Sequence, residues 1–358
     1  MKLRSTFQLS RSIGESWFRR PKTPGRMVLA ITRRCNLRCA MCHTYNLNPG
    51  QELRPEEIGL LCSKVPNLTW LDVTGGEPFL RKDAPEIFEN ILSNSPRLSV
   101  LHFPTNGWFR DRIRATAGLI RRKRPEVELI VTISIDGPPD VHDQVRGQAG
   151  SFERAIESFH SLQAMDGVDV FIGTTVSPHN QHGLSDLESA LRSNIPNFNT
   201  RMWHKNWMQI SGHFFDNADQ NTPTSTEVPE QIAAHRKDRG LPKSLVDFME
   251  WTFLKNLEAH HRGEGLGFDC QALHGSCFIS ADGDLYPCHV YDRPLGNLRD
   301  VHFDLSRLWS QHETREARKD IKDLKCGGCF TACEAYPSIA GSPIRAATQT
   351  LKRSLPLL

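Results

Sequence analysis

The sequence predicts an α/β fold with a parallel sheet, a barrel or part of one, followed by a small cysteine-rich module. Three observations carry this. Short apolar or β-branched runs alternate with helical stretches from Met27 to about residue 207. Most of those runs are continuously apolar, as buried parallel strands are. Six of the ten cysteines lie beyond residue 263, where glycine and proline also concentrate.

Taken in order, "MVLAIT" (27–32), "LTWLDVTG" (68–75), "LSVLHFPTNG" (98–107), "ELIVTISIDG" (128–137) and "VDVFIGTTV" (168–176) read as strands. A sixth, "FNTRMWHKNW" (198–207), is more polar. Helical periodicity fills 55–64, 84–94, 111–122, 151–165 and 184–193. Such alternation builds a parallel sheet. In barrels of this kind chemistry sits at the carboxyl ends of the strands, and each sharp motif falls there. Residues 211–241, rich in Asn, Asp, Thr and Pro, read as a long loop or inserted linker. Residues 242–261 read as a helix. The module from 263 onward has too little apolar content to stand without cross-links. There is no internal repeat. The division expected is an amino-terminal basic extension (1–26), the barrel (27–215), a linker and helix (216–262), the cysteine-rich module (263–340) and a tail (341–358).

The chain has 358 residues, 24% of them charged, with a formal net charge of +3. That balance is too small to argue for a nucleic-acid partner. No run of 18 apolar residues exists to span a membrane, and the start lacks a signal-peptide core. The cysteines are therefore expected as reduced thiols or metal ligands in the cytoplasm, not as a disulfide framework.

"RRCNLRCAMCHTY" (33–45) places Cys35, Cys39 and Cys42 within eight residues. Buried core cysteines, a zinc site or an iron–sulfur site are the alternatives. Asn36, Arg38 and His43 interrupt any purely structural face. Structural zinc wants four ligands, and no fourth cysteine lies nearby. Three thiolates on a four-iron cluster leave one iron open. "TGGEP" (74–78) ends the second strand; its glycines let backbone come close, and carbonyls with Glu77 suit an ammonium group. "PTNG" (104–107) offers Asn106 at the end of the third strand, and "SIDGPPDVHDQVRG" (134–147) ends the fourth.

In this order the motifs resemble the radical S-adenosylmethionine (radical SAM) superfamily over about residues 26–180. The resemblance implies a partial (β/α)6 TIM-like barrel. It implies a four-iron (4Fe-4S) cluster on Cys35, Cys39 and Cys42, whose open iron chelates S-adenosylmethionine. An electron from a donor such as a flavodoxin or ferredoxin then yields a 5′-deoxyadenosyl radical that abstracts hydrogen from substrate. By the same resemblance Gly75, Gly76 and Glu77 hold the cofactor's amino group, Asn106 reaches cofactor or substrate, and Ser134 meets the ribose. Arg146 would hold the carboxylate, for which a planar guanidinium is suited; its alternative is an ion pair with Asp143. Met41 stands where the family often has an aromatic residue near adenine, and methionine makes a similar soft contact.

Cys270, Cys277, Cys288, Cys326, Cys329 and Cys333 form the second constellation. "CFISADGDLYPC" (277–288) reads as a hairpin turning at Asp282-Gly283, and "CGGCFTAC" (326–333) adds a knuckle-like pair and a third thiol. A zinc ribbon is one reading. The segment also resembles the auxiliary-cluster modules SPASM and twitch. That resemblance implies one auxiliary four-iron cluster on Cys270, Cys288, Cys326 and Cys329. Cys277 and Cys333 are left for a second cluster, or for a free thiol that donates hydrogen to a substrate radical.

Cys62, beside Ile58 and Leu61, reads as a packed core thiol. Trp203, His204, Trp207, His213, Phe214 and Phe215 either line a substrate pocket or pack the loop. The amino-terminal start, basic with interspersed aromatics, either docks on the barrel or lies on a membrane surface. Only about 26 residues precede the barrel, too few for a leader-peptide- or cobalamin-binding domain. The function expected is hydrogen abstraction from a peptide or small metabolite. A zinc-stabilised binding protein and a non-catalytic cofactor-binding member are the alternatives.

Overall fold

The computed structural model describes residues 21–222, 228–243, 245–265, 267–326, 328 and 331–353. Most of the basic amino-terminal extension, and Cys329, lie outside the described residues. Six parallel strands follow the predicted order: β1 (Arg26–Ala30), β2 (Trp70–Thr74), β3 (Val100–Thr105), β4 (Glu128–Ser134), β5 (Val168–Val176) and β6 (Trp203–Trp207). Between them run α1 (Pro55–Ser63), α2 (Ala84–Asn94), α3 (Arg110–Lys123), α4 (Pro139–Arg146), α5 (Ser151–Gln163) and α6 (Leu184–Asn194). The sheet does not close on itself, so the barrel is partial and open.

Side chains alternate across the sheet. Leu129, Val131 and Ile133 of β4 point to the helices and are fully buried; they join Phe79, Phe88, Phe103 and Phe159 in the main core. Phe79 packs edge-on to Phe103 with ring centroids 5.1 Å apart, a geometry that adds about 0.5–1.5 kcal/mol beyond area burial. The other sheet face is polar where it lines a cavity, through Asp72, His102 and Ser134.

The cysteine-rich module is built onto this same sheet. After α7 (Val228–Arg239) and α8 (Leu245–His261), strand β7 (Ser276–Ile279) pairs in parallel with β1, Met27 opposite Cys277. Strand β8 (Leu285–Tyr286) returns antiparallel through the expected turn, where Gly283 holds φ 94°. The sheet order is therefore β6-β5-β4-β3-β2-β1-β7-β8. Helices α9 (Leu305–Ser310), α10 (His312–Lys322), α11 (Ala332–Gly341) and α12 (Pro343–Lys352) complete the described chain.

The expectation of a loop throughout 211–241 is corrected by α7. That helix buries Val228, Ile232, His235 and Arg239, so half of its inward face is made of residues that read as polar. It packs with Phe253, Leu254, Leu257 and Ile339 in a second core. No helix among the described residues is long and apolar enough to cross a membrane.

Candidate functional site

Backbone hydrogen bonds fasten the loop that leaves β1. Ile31 N–H donates to Thr74 O at 2.8 Å, Gly76 N–H to Thr32 O at 2.8 Å and Glu77 N–H to Arg34 O at 2.9 Å. The Gly-Gly turn and the cysteine loop thus run side by side. They run too close for side chains: a Cβ on Gly75 would stand 2.2 Å from Thr32 O, and one on Gly76 2.3 Å from Arg34 O. Gly75 also holds φ +139°, which L side chains rarely adopt. On its other flank the loop is held by the end of α4, with Arg38 N–H on Arg146 O at 3.1 Å and Ala40 N–H on Val145 O at 2.8 Å. A third anchor comes from the segment after β6. Asn217 Nδ2 donates to Met41 O at 3.1 Å and Gln220 Nε2 to Ala40 O at 2.7 Å.

Thus presented, Cys35, Cys39 and Cys42 pack with Leu37, Met41, Val145 and Met208 and line a cavity of about 290 Å³. Gly75, Gly76, Glu77, Asn106, Ser134 and Arg146 line the same cavity. Every residue expected at the first site is therefore brought together. Arg146 does not pair with Asp143. Asp143 instead accepts from Ser151 Oγ and Phe152 N–H at the start of α5. The Arg146 guanidinium lies 2.6 Å from Asp136 Oδ2, a carboxylate with no exposure, and its Nη1 is 3.8 Å from Cys39 Sγ. Burial pushes the Asp136 pKa up, and Arg146 opposes that.

The environment of the three thiols bears on what they can hold. Burial pushes Cys35 up to about 12 and Cys39 up to about 11, and raises Cys42 as well. Arg146 pulls Cys39 back only in part. Such thiols stay protonated and inert alone, whereas a coordinating metal deprotonates them outright. Among the described residues no three of His, Cys, Asp and Glu converge on a single metal ion. Three thiols in one apolar-walled loop that lines a cavity fit the protein ligands of an iron–sulfur cluster.

Glu77 carries a second electrostatic feature. Its side chain is 1% exposed and accepts from Thr105 Oγ1 (2.8 Å), Asn106 N–H (2.8 Å) and Phe79 N–H (3.2 Å). Burial still raises its pKa to about 7, from 4.5. A raised carboxyl pKa means that Glu77's contribution to stability is full below pH 4.5 and is lost as pH rises through about 7. In urea melts of the metal-free protein, the stability of wild type minus that of Glu77→Gln is expected to shrink by about 3 kcal/mol across that window, at about 1.4 kcal/mol per unit. Parallel curves would contradict this assignment.

In the second module Cys270, Cys288 and Cys326 line one small cavity of about 30 Å³ with Gly328. Cys329, next to Gly328, lies outside the described residues. Burial raises Cys288 to about 12 and holds Cys270 well above its ordinary value. Cys277 and Cys333 do not join them. Cys277 is fully buried in the main core on β7, while Cys333 lines the large cavity instead. Of the aromatic group, Trp207, Phe214 and Phe215 line that cavity. Trp203 is in the main core, His204 lies 3.3 Å from Glu250, and His213 stacks on Tyr286 at 4.1 Å. Sequence reasoning missed Asp136, Asn217, Gln220, Asp72, His102 and His289. Only Asp136, two residues after Ser134, stood inside a motif.

A family model of the radical SAM superfamily matches residues 29–188, and one of an iron–sulfur cluster-binding domain, SPASM, matches residues 270–331. The chain belongs to the radical SAM superfamily. It is 32% identical over 284 residues to the probable GTP 3′,8-cyclase of Methanocaldococcus jannaschii (76% of this chain, 86% of that protein). It is 26% identical over 336 residues to the AdoMet-dependent heme synthase of Oleidesulfovibrio alaskensis (84% and 78%). To the subtilosin biosynthesis protein AlbA of Bacillus subtilis it is 25% identical over 332 residues (86% and 67%). The solved structure of anSMEcpe with bound AdoMet and a peptide shares the fold, with a TM-score of 0.57 at 17% identity over 92% of this chain and all of that one. As a radical SAM enzyme the chain works with a four-iron cluster and S-adenosylmethionine, and its SPASM domain brings auxiliary iron–sulfur chemistry.

Proposed function

We propose that this radical SAM enzyme abstracts hydrogen from a peptide or small metabolite held in the 290 Å³ cavity. The observation that carries the reading is convergence. The cysteine loop after β1, the Gly-Gly-Glu turn after β2, Asn106 after β3 and Ser134 and Arg146 at and beyond β4 all reach this one space. Cys35, Cys39 and Cys42 hold the catalytic cluster, which when bound supplies the electron that cleaves S-adenosylmethionine. Gly75 and Gly76 offer backbone to the cofactor's amino group, with Glu77 and Asn106 shaping the turn around it. Ser134 meets the ribose, Met41 the adenine and Arg146 the carboxylate. Leu37, Met41, Val145 and Met208 keep water from the radical.

Cys270, Cys288, Cys326 and Cys329 hold an auxiliary cluster. The relatives support substrates of both classes, since one is named for GTP and another for a bacteriocin. A cytoplasmic flavodoxin or ferredoxin suits the electron supply. The test is anaerobic reconstitution, followed by iron and sulfide analysis and by reduction with S-adenosylmethionine. About eight irons per chain, with release of 5′-deoxyadenosine, is the expected result. Zinc in place of iron, or a loaded first cluster that cleaves nothing, would overturn the proposal.

A further inference from the structure

The large cavity contains a fourth thiol that the cofactor does not need. Cys333 opens α11 and lines this cavity together with Thr331 and Ala332. The next residues of the same helix, Glu334, Ala335 and Ser338, line the small cavity of Cys270, Cys288 and Cys326. Neighbouring positions on one helix point different ways, so Cys333 is turned from the auxiliary thiols toward the substrate space. Its backbone is held there by Arg26, whose guanidinium donates to Cys333 O and pairs with Asp72 at 2.7 Å. Arg26 begins β1, whereas Cys35 follows its carboxyl end. Cys333 is thus fastened to the residue that opens β1, and the cysteine loop leaves the strand's other end.

A second observation points to an occupant. His289, 5% exposed, lines the cavity, and its Nδ1 has no hydrogen-bond partner among the described residues. A buried polar nitrogen without a partner is costly, and a ligand bearing a hydrogen-bonding group would relieve that cost. Asp72 and His102, joined by a 2.7 Å contact, add polar groups to the same wall.

We infer that Cys333 is a free thiol of the cavity, facing the substrate on the side away from the catalytic cluster, and that it returns a hydrogen atom to the substrate radical. The inference rests on the radical reading above. In that step a C–H bond forms on the substrate and the S–H bond of Cys333 breaks, leaving a thiyl radical. One electron from the reduced auxiliary iron–sulfur cluster and one proton from water restore the thiol. The S–H bond is weaker than most C–H bonds, so the transfer runs downhill. The substrate loses hydrogen on one side and regains it on the other, and its oxidation state is unchanged. The reaction class is therefore inversion or rearrangement at carbon rather than desaturation or cross-linking.

Two measurements on the cluster-loaded full chain decide it. Prolonged iodoacetamide treatment at pH 9, needed because burial holds the Cys333 thiol up at about 11, followed by peptide mass spectrometry, is expected to label Cys333 slowly and to spare Cys270, Cys288 and Cys326. Cys333→Ser and Cys333→Ala are expected to keep the wild-type iron content. Reduction with S-adenosylmethionine in D2O without substrate then lets the deoxyadenosyl radical take deuterium from the exchanged thiol. Wild type is expected to give deuterated 5′-deoxyadenosine, and both variants to lose that label. Protection of Cys333 together with iron loss in the variants would make it a cluster ligand and overturn the inference. Label that persists in both variants would overturn it while leaving the radical reading standing. If wild type forms no deoxyadenosine, the radical reading falls and this inference falls with it.

Discussion

Cys39→Ala leaves a folded protein that binds about four fewer irons per chain and releases no deoxyadenosine. The fold survives because the loop is fixed through backbone. The carbonyl of residue 39 still accepts from Cys42 N–H at 3.2 Å, and the neighbouring links to Arg146 O and Val145 O involve no cysteine side chain. What disappears is one of three thiolates, and with it the cluster. Circular dichroism is expected to match wild type, while iron analysis and low-temperature electron paramagnetic resonance show only the auxiliary signal. Cys288→Ala gives the mirror result, with auxiliary iron lost and deoxyadenosine release retained. Unchanged iron in Cys39→Ala would remove the loop from the metal-binding chemistry.

The second large effect lies beside Cys39, at Arg146. Arg146→Met strands Asp136, a carboxylate with no exposure, beside an apolar side chain. Losing one partner of a buried pair costs about 3–5 kcal/mol, enough to lower the melting temperature by several degrees. In the double variant Arg146→Met/Asp136→Asn the unpaired charge is gone, and the residue 136 Oδ1 can keep accepting Thr175 N–H, a 2.8 Å contact in the wild type. Most of the lost stability is expected to return. Affinity for S-adenosylmethionine, measured by equilibrium dialysis on reconstituted protein, is expected to stay at least tenfold weaker, about 1.4 kcal/mol or more. Recovery of both together would make Arg146 a purely structural residue.

The parts of this molecule legible in sequence are those whose signals are local. All five predicted helices between the strands appear within a few residues of their expected ends, because each has apolar positions on one face and a clear stop. The strands were legible because their outer faces are fully buried. The cysteine loop and its companion turns were legible because the chemistry fixes spacing within a few residues. What escaped depends on distant partners. α7 was hidden because His235 and Arg239 share its buried face with Val228 and Ile232, a pattern that looks polar by composition. α4 is short and begins at Pro138-Pro139, which reads as a turn, although Gly147 ends it in the left-handed conformation. Asn217 and Gln220 sit in a segment of linker-like composition and earn their role only through carbonyls some 180 residues away. Nothing local to "SCFI" could say that β7 lies against β1, about 250 residues earlier. The orientation of Cys333 followed from that pairing and from the seat of α11, neither of which spacing encodes.

The pairing of β7 with β1 also has a mechanical meaning. β1 lies between β2 and β7, so the strand that launches the catalytic loop also carries the hairpin that leads to Cys288. A rigid ladder of hydrogen bonds, not a linker, sets the separation between the two metal-binding regions. Electron tunnelling falls off exponentially with distance, so the separation set by this pairing would govern any transfer between them. To part the two regions the chain would have to unzip β7 from β1. For any electron that passes between the two regions, the sheet sets the distance.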